Sequence, residues 1–421
     1  MDELYNWAGN YKYSTDRLHV PESVEQVQQL VTQFSSLKVL GTRHSFNGIA
    51  DSTANLISTQ SLNQVITLDK ADRRVTVEAG IKYGDLCRYL HQHGYAMHNM
   101  ASLPHISVAG ACATATHGSG DQNGSLATTV RAMEIVTASG EVVDFSREQY
   151  DRYDGVIVGL GGLGVVTKLT LDVVPEFLMR QDVYENLPLE QLQEHFDGIF
   201  SSAYSVSLFT DWKKASFNQV WLKHQQIEES AYEAEPEFYG ATLATMDQHP
   251  VYGCATENCT EQMGRYGPSH ERLPHFRMDF TPSNGAELQS EYIVSREHAF
   301  DALRAIDRMN KHIAPLLLIS EVRTIAEDNL WMSPYYKQQS VAIHFTWKDD
   351  WHAVKKVLPM IEEQLSPFNA RPHWGKLFTM SPPRLQSLYE KLPDFQELLQ
   401  QYDPQGKFRN AFLNTYIFGQ E

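Results

Sequence analysis

Gly41-Thr42-Arg43-His44-Ser45-Phe46-Asn47 sets a histidine in a small, polar loop directly after the β-like run Leu37-Lys38-Val39-Leu40. A lone histidine after a strand is usually a hydrogen-bonded structural residue. This one has company: three more stretches of small residues follow, Ala101-Ser102-Leu103-Pro104-His105-Ile106-Ser107-Val108-Ala109-Gly110, Thr116-His117-Gly118-Ser119-Gly120 and Gly159-Leu160-Gly161-Gly162-Leu163-Gly164-Val165-Val166. Such loops let the backbone come close to a ligand, and their N–H groups can form an anion-binding nest for a pyrophosphate. Separated loops of this kind can line one large ligand, and the fold has to bring them together to do so.

The last of them reads GxGxxG, the letters of a dinucleotide fingerprint. That fingerprint must open a helix, whereas this loop opens the β-branched run Val165 to Val174, so a nicotinamide-binding Rossmann unit is rejected. Upstream, Pro21 to Val31 is expected to be a helix with an apolar stripe at Val24, Val27, Leu30 and Val31. Val65–Leu68 with Arg74–Gly80, and Ala132–Val136 with Glu141–Phe145, read as two hairpins, and Tyr83 to His93 as a short helix closed by Gly94. Beyond Pro175 the elements lengthen, with a turn-rich middle from Glu233 to Pro274, which puts the main boundary near residue 176. No internal repeat or low-complexity tract is evident.

Three strands in the second part each offer a polar pair on one face. A period of two puts His344 and Thr346 together in Val341-Ala342-Ile343-His344-Phe345-Thr346-Trp347, Glu321 and Arg323 together in Leu317 to Ile325, and Gln289 with Glu291 in Leu288 to Ile293. One such pair could be an exposed ion pair worth ~0–1 kcal/mol. Three in successive strands, followed by Lys376 in His373-Trp374-Gly375-Lys376-Leu377-Phe378, read as the floor of a polar pocket.

At 421 residues, 42% hydrophobic and 11% aromatic, the chain can fill two or three cores. Its net charge of −17 repels nucleic acid and anionic membrane and leaves a small neutral substrate as the better fit. Cys87, Cys112, Cys254 and Cys259 are too irregular for a disulfide framework and contain no CxxC pair, so no metal is expected; Cys254 and Cys259 are read as reduced. The start, Met1 to Trp7, lacks a basic segment followed by an apolar core, and runs such as Ala314 to Ile319 fall far short of the ~20 residues that span a bilayer. The expectation is a soluble, cytoplasmic, monomeric protein.

Taken together, these residues resemble the alditol oxidases, a branch of the flavoprotein family that includes vanillyl-alcohol oxidase and the sugar-lactone oxidases. The resemblance runs from Asn6-Trp7 through Arg43-His44-Ser45 and His117 to Gly120 to His373-Trp374-Gly375-Lys376. It implies an α+β fold: a two-part FAD-binding domain of the vanillyl-alcohol oxidase type over 1–175, a substrate-binding cap with an antiparallel sheet over 176–370, and a segment over 371–421 that returns to the flavin domain. It also implies FAD bonded covalently through His44 and held by Gly41, Thr42, Arg43 and Ser45, by Ala101, Ser102, Ser107, Val108 and Gly110, and by Thr114, His117, Gly118 and Ser119. Gly162, Val165, His373 and Lys376 complete that set. Cys112 does not match the cysteine through which some relatives make a second flavin link, and is read as a small packed residue.

By the same likeness Ser102, Gln289, Glu321, Arg323, His344, Thr346 and Lys376 line the substrate pocket. Oxidising a primary alcohol removes a hydride from carbon and a proton from oxygen. Arg323 and Lys376 are the candidates for polarising the hydroxyl, His344 for the general base, and Glu321 with Gln289, Thr346 and Ser102 for holding the other hydroxyls and orienting Arg323. The expected reaction takes a linear polyol and O₂ to an aldose and hydrogen peroxide, with small Ala101 beside the oxygen path. An aldonolactone oxidase and a flavin-free carbohydrate-binding protein remain the alternatives.

Overall fold

In the computed structural model, which describes residues 3–226, 233–279 and 286–420, the Gly159–Gly164 loop runs straight into the strand Val165–Asp172. Leu160, Gly161 and Gly164 take positive φ (52°, 65° and 147°), so the chain turns sharply before it extends. The strand buries every second residue, Val165, Thr167, Leu169 and Leu171. It is the centre of a five-stranded antiparallel sheet, between Arg74–Glu78, paired outward with Val65–Asp69, and Val130–Val136, paired outward with Val142–Ser146. The two hairpins read from the sequence are thus joined through the glycine-loop strand.

Before this sheet, a three-stranded parallel sheet orders Leu18–His19, Leu56–Ser58 and Lys38–Leu40. The helix leading into it spans Val24–Gln33, three residues later than Pro21, because the Ser23 side chain accepts the Gln26 N–H at 3.3 Å and caps the helix there. Val27 and Val31 form its fully buried seam. The Tyr83–Gln92 helix closes on Gly94 at φ +80°.

Beyond residue 176 the architecture changes to a ten-stranded sheet whose pairings are all antiparallel. Its core places Leu178–Pro188, Ser216–Gln225, Ser205–Thr210, Leu317–Ile325, Ser340–Lys348 and Glu287–Ser295 side by side, with the short strand Arg371–Pro372 at one edge. The helices Ala299–Asp307 and Trp351–Leu365 pack on each other. The turn-rich stretch contributes only short strands such as Ala241–Leu243 and Gly267–Pro268. The tail then returns to the start of the chain: the Lys407 carbonyl accepts the Leu37 N–H at 3.0 Å, and the Phe408 carbonyl accepts from Lys38 Nζ at 3.1 Å. Among the described residues no helix is long and apolar enough to cross a membrane.

Candidate active site

A cavity of about 610 Å³ lies between the glycine-rich loops and the large sheet. Its first wall is mostly backbone. Gly41 approaches Ser107 so closely that an added Cβ would sit 2.5 Å from the Ser107 hydroxyl, and Thr42 Oγ1 accepts the Ser107 N–H at 3.3 Å, locking the first two loops together. The Leu160 N–H reaches the Ala113 carbonyl at 3.2 Å and ties in the fourth loop. Lys38 Nζ, buried beneath it, donates to the carbonyls of Leu160 and Gly161 at 3.2 and 2.9 Å.

His44 stands on this wall with its ring fixed on two sides. Nδ1 hydrogen-bonds Thr42 Oγ1 at 3.0 Å, and Trp7 stacks on the imidazole at 5.0 Å between centroids with an 18° tilt. Burial pushes its pKa down to about 4, so the ring is neutral and nucleophilic at neutral pH. The Asn47 amide donates to the carbonyls of Trp374 and Lys376 at 2.9 and 2.8 Å, which joins the histidine loop to the segment carrying Lys376.

The second wall is made of ionisable side chains. Glu291, His344 and Glu321 are cross-strand neighbours in one row across three strands, with Gln289, Thr346 and Ile319 in the next row. All three expected polar pairs therefore lie on one face. At their centre is Glu291, fully buried. Its Oε1 accepts from His117 Nε2 at 2.9 Å and Arg323 at 3.3 Å, while Oε2 binds Lys376 Nζ and lies 3.5 Å from His344 Nδ1. Burial pushes its carboxyl up, but the Lys376 charge and the contacts with His117 and His344 outweigh it and hold the group far below the ordinary range. Lys376 Nζ also meets His344 Nδ1 at 2.7 Å, and His344 Nε2 meets Thr346 Oγ1 at 3.1 Å. Burial, reinforced by the Lys376 charge, pushes His344 down to about 4. Arg323 also donates to Ser102 Oγ at 3.2 Å and lies 3.4 Å from Glu321.

Two carboxylates thus face two cations, which meets the condition for burying charge. Lys376 is aimed by its backbone: the N–H groups of His373 and Leu377 bond the carbonyls of Glu291 and Gln289 at 3.0 and 2.9 Å. Gln289 itself turns to Glu287 at 2.6 Å.

Most expected site residues line this cavity: Gly41, Thr42, Arg43, His44 and Ser45; Ala101, Ser102, Ser107, Gly110, Thr114 and His117; and, across from them, Gln289, Glu321, Arg323, His344, Thr346, His373 and Lys376. Five sit behind the lining. Val108 and Val165 are fully buried core residues, and Ser119 donates to the Val206 carbonyl. Gly118 is pressed against Asn99 and Met100, and Gly162 against Leu399. Sequence reasoning gave no role to Glu291, although its parity with Gln289 already put it on the pocket face. His275 went unnoticed because it follows the turn-rich stretch in irregular chain, with no period to read. Cys112 is packed at 3.6 Å from the Tyr83 hydroxyl, and Cys254 and Cys259 are free thiols.

The first wall fits a flavin dinucleotide: backbone of small residues along a deep cleft, the neutral His44, and a lysine beneath the glycine loop. Comparison with known proteins agrees. Residues 15–146 match the FAD binding domain family, and residues 280–416 match the D-arabinono-1,4-lactone oxidase family. The chain is 47% identical to an alditol oxidase from Streptomyces sp., over 98% of this chain and 99% of the relative. It is 28% identical to an L-gulono-1,4-lactone dehydrogenase from Mycobacterium tuberculosis (98% and 97%) and 25% identical to the L-gulonolactone oxidase of Mus musculus (99% and 98%). Among solved structures, cholesterol oxidase from B. sterolicum superposes with a TM-score of 0.79 at 13% identity, covering 99% of this chain and 96% of that one, which is a likeness of fold. The chain belongs to the alditol oxidase family of FAD-binding oxidoreductases.

Proposed function

We propose that the protein is an FAD-dependent oxidase that converts the terminal primary alcohol of alditols such as xylitol and sorbitol to the aldose, with O₂ reduced to hydrogen peroxide. The observation that carries this reading is the pairing of the two walls: a backbone cradle bearing His44 facing an ionised wall in which Lys376 and Arg323 share Glu291. FAD, which His44 would hold covalently in this proposal, would supply the two-electron redox chemistry that links the alcohol to O₂. Residues 1–175 and 371–421 are assigned to holding it, and 176–370 to the substrate.

The side chains do the proton and charge work. Because Nδ1 of His344 accepts from the Lys376 ammonium, the ring is neutral with its proton on Nε2, donated to Thr346 Oγ1. Lys376 passes a proton to His344 Nδ1 and, as the amine, takes the proton of the reacting hydroxyl; the pair thereby goes from one positive charge to two, beside the Glu291 carboxylate that faces both nitrogens. Arg323, braced by Glu291 and Ser102, stabilises the developing alkoxide. Gln289, Glu321, Thr346 and Ser102 hold the remaining hydroxyls, so each missing hydroxyl leaves a buried polar group unpaired at a cost of ~1–3 kcal/mol.

Peroxide release against a panel tests this. Xylitol or sorbitol is expected to exceed both 1-pentanol and gulono- or galactonolactone in kcat/KM. A lactone that outran every alditol would instead support an aldonolactone oxidase, the kind of activity named for the more distant relative from Mus musculus.

A further inference from the structure

The large sheet carries two buried carboxylates in this cavity, and their surroundings differ. Glu291 has both oxygens taken by cations or imidazoles and no exposed side-chain surface. Glu321 is engaged at Oε1, by His275 Nε2 at 2.7 Å and Arg323 Nε at 3.4 Å; among the described residues no hydrogen bond takes up Oε2. Glu291 is an internal counter-ion, whereas Glu321 keeps an oxygen for something else.

Behind His275 stands Lys223. It comes from the strand Ser216–Gln225, is fully buried, and meets three acceptors: the carbonyls of Leu273 and Pro274 at 2.6 and 3.1 Å and His275 Nδ1 at 3.2 Å. Burial pushes Lys223 down to about 7; in its ammonium form three hydrogens meet three acceptors, which leaves no freedom in the direction of the bonds. The ionised Glu321 accepts from Nε2 and the ammonium takes the Nδ1 lone pair, so the imidazole is neutral with its single proton pointing at Glu321. A neutral donor orients the carboxylate without discharging it.

The ring cannot turn away. Phe209 and Trp221 meet it edge-on at 5.4 and 5.2 Å, and the His275 N–H is bonded to the Ser102 carbonyl at 3.1 Å. Ser102 Oγ in turn accepts from Arg323, which closes a ring of contacts through Ser102, His275, Glu321 and Arg323.

We propose that Lys223 and His275 are positioning residues that fix Glu321 as an ionised acceptor for one hydroxyl of the substrate, and so help set the preference for a polyol. The specificity part rests on the alditol reading above; the dyad itself does not.

Two measurements on the flavin-loaded protein separate these. The ¹⁵N shifts of the His275 ring, assigned by difference with His275→Gln, are expected to show Nδ1 unprotonated and Nε2 protonated at pH 7. A proton on Nδ1 would overturn the dyad whatever the substrate is. In steady-state kinetics, His275→Phe and Lys223→Met are expected to lose on the order of tenfold in kcat/KM for xylitol, chiefly through KM. His275→Gln, which keeps an N–H donor, should recover most of that, and 1,2-propanediol, which lacks the outer hydroxyls, should be affected about twofold or less. Equal losses for xylitol and the diol, or no rescue by glutamine, would reduce His275 to a packing residue and overturn the positioning role. If the wild type released no peroxide with any alditol, the substrate reading would fall and the ring tautomer alone would decide the dyad.

Discussion

The two walls of the cavity are built on opposite principles. On the loop side, four segments meet through N–H and carbonyl groups, and small residues set how closely the chain can approach; on the sheet side, the backbone is regular and everything depends on ionised side chains that need one another. A wall of the first kind fails through crowding and one of the second kind through an unbalanced charge. The same size of substitution should therefore have different consequences on the two sides.

The largest effect is expected at Glu291. Replacing this buried counter-ion by glutamine leaves Lys376 without its carboxylate and Arg323 with Glu321 alone, and breaking a buried pair in this way costs about 3–5 kcal/mol. Urea unfolding of Glu291→Gln should show a loss of that order; a loss under about 1 kcal/mol would mean the cations are satisfied elsewhere. Lys376→Met removes charge from the same wall while leaving Arg323 on Glu291. Flavin reduction in anaerobic stopped flow should slow by on the order of a hundredfold or more, the loss typical of deleting a positioned general base. A wild-type rate would remove Lys376 from the chemistry.

Substitutions on the loop side should act on the cofactor and leave the charges alone. In His44→Ala the flavin should come away from the denatured chain, whereas it should stay with the denatured wild type; flavin retained by the mutant chain would place the attachment elsewhere. Gly118 lies outside the lining, yet an added Cβ would fall 2.4 Å from the Met100 carbonyl oxygen. Backbone must shift, so Gly118→Ala is expected to cost ~1–3 kcal/mol and lower the flavin content of the purified protein. The reduction rate of the fraction that retains flavin should stay within about twofold, and a large drop there would show that the walls are not independent.

The contrast also explains which parts could be read from residues alone. The period of two, with Val341, Ile343, Phe345 and Trp347 alternating against His344 and Thr346, fixed the face of each polar residue, and the observed register sets those faces side by side. The strand after the glycine loop was legible for the same reason. Long-range partners were not. Nothing local says that Lys376 would meet Glu291, since that contact depends on an edge strand of two residues, Arg371–Pro372, pairing with Glu287–Ser295. His275 lies in irregular chain, where its role arises only from Lys223 and Glu321 approaching from separate strands. Val108 and Val165 show the converse limit: a motif locates a loop, but which of its residues turn inward to the core is decided by packing.

The smallest predicted effect per substitution concerns acid, and both walls share it. Burial holds His44 on the loop wall and His275 and His344 on the sheet wall down to about 4, while an unfolded histidine titrates near 6.5. Between those values the unfolded chain binds protons that the folded chain refuses, so stability that is complete above pH 6.5 is lost as the pH falls toward 4. Glu291 and Glu321 are held below the ordinary carboxylate range, so their contribution goes only at still lower pH. Each histidine adds a slope of at most about 1.4 kcal/mol per pH unit within its window. Urea unfolding at pH 7, 6 and 5 should give a steadily falling stability for the wild type and a shallower fall for His344→Gln, which removes one of these rings. Identical slopes would mean that His344 is already protonated in the fold, and the neutral tautomer that lets Lys376 hand it a proton would have to be given up.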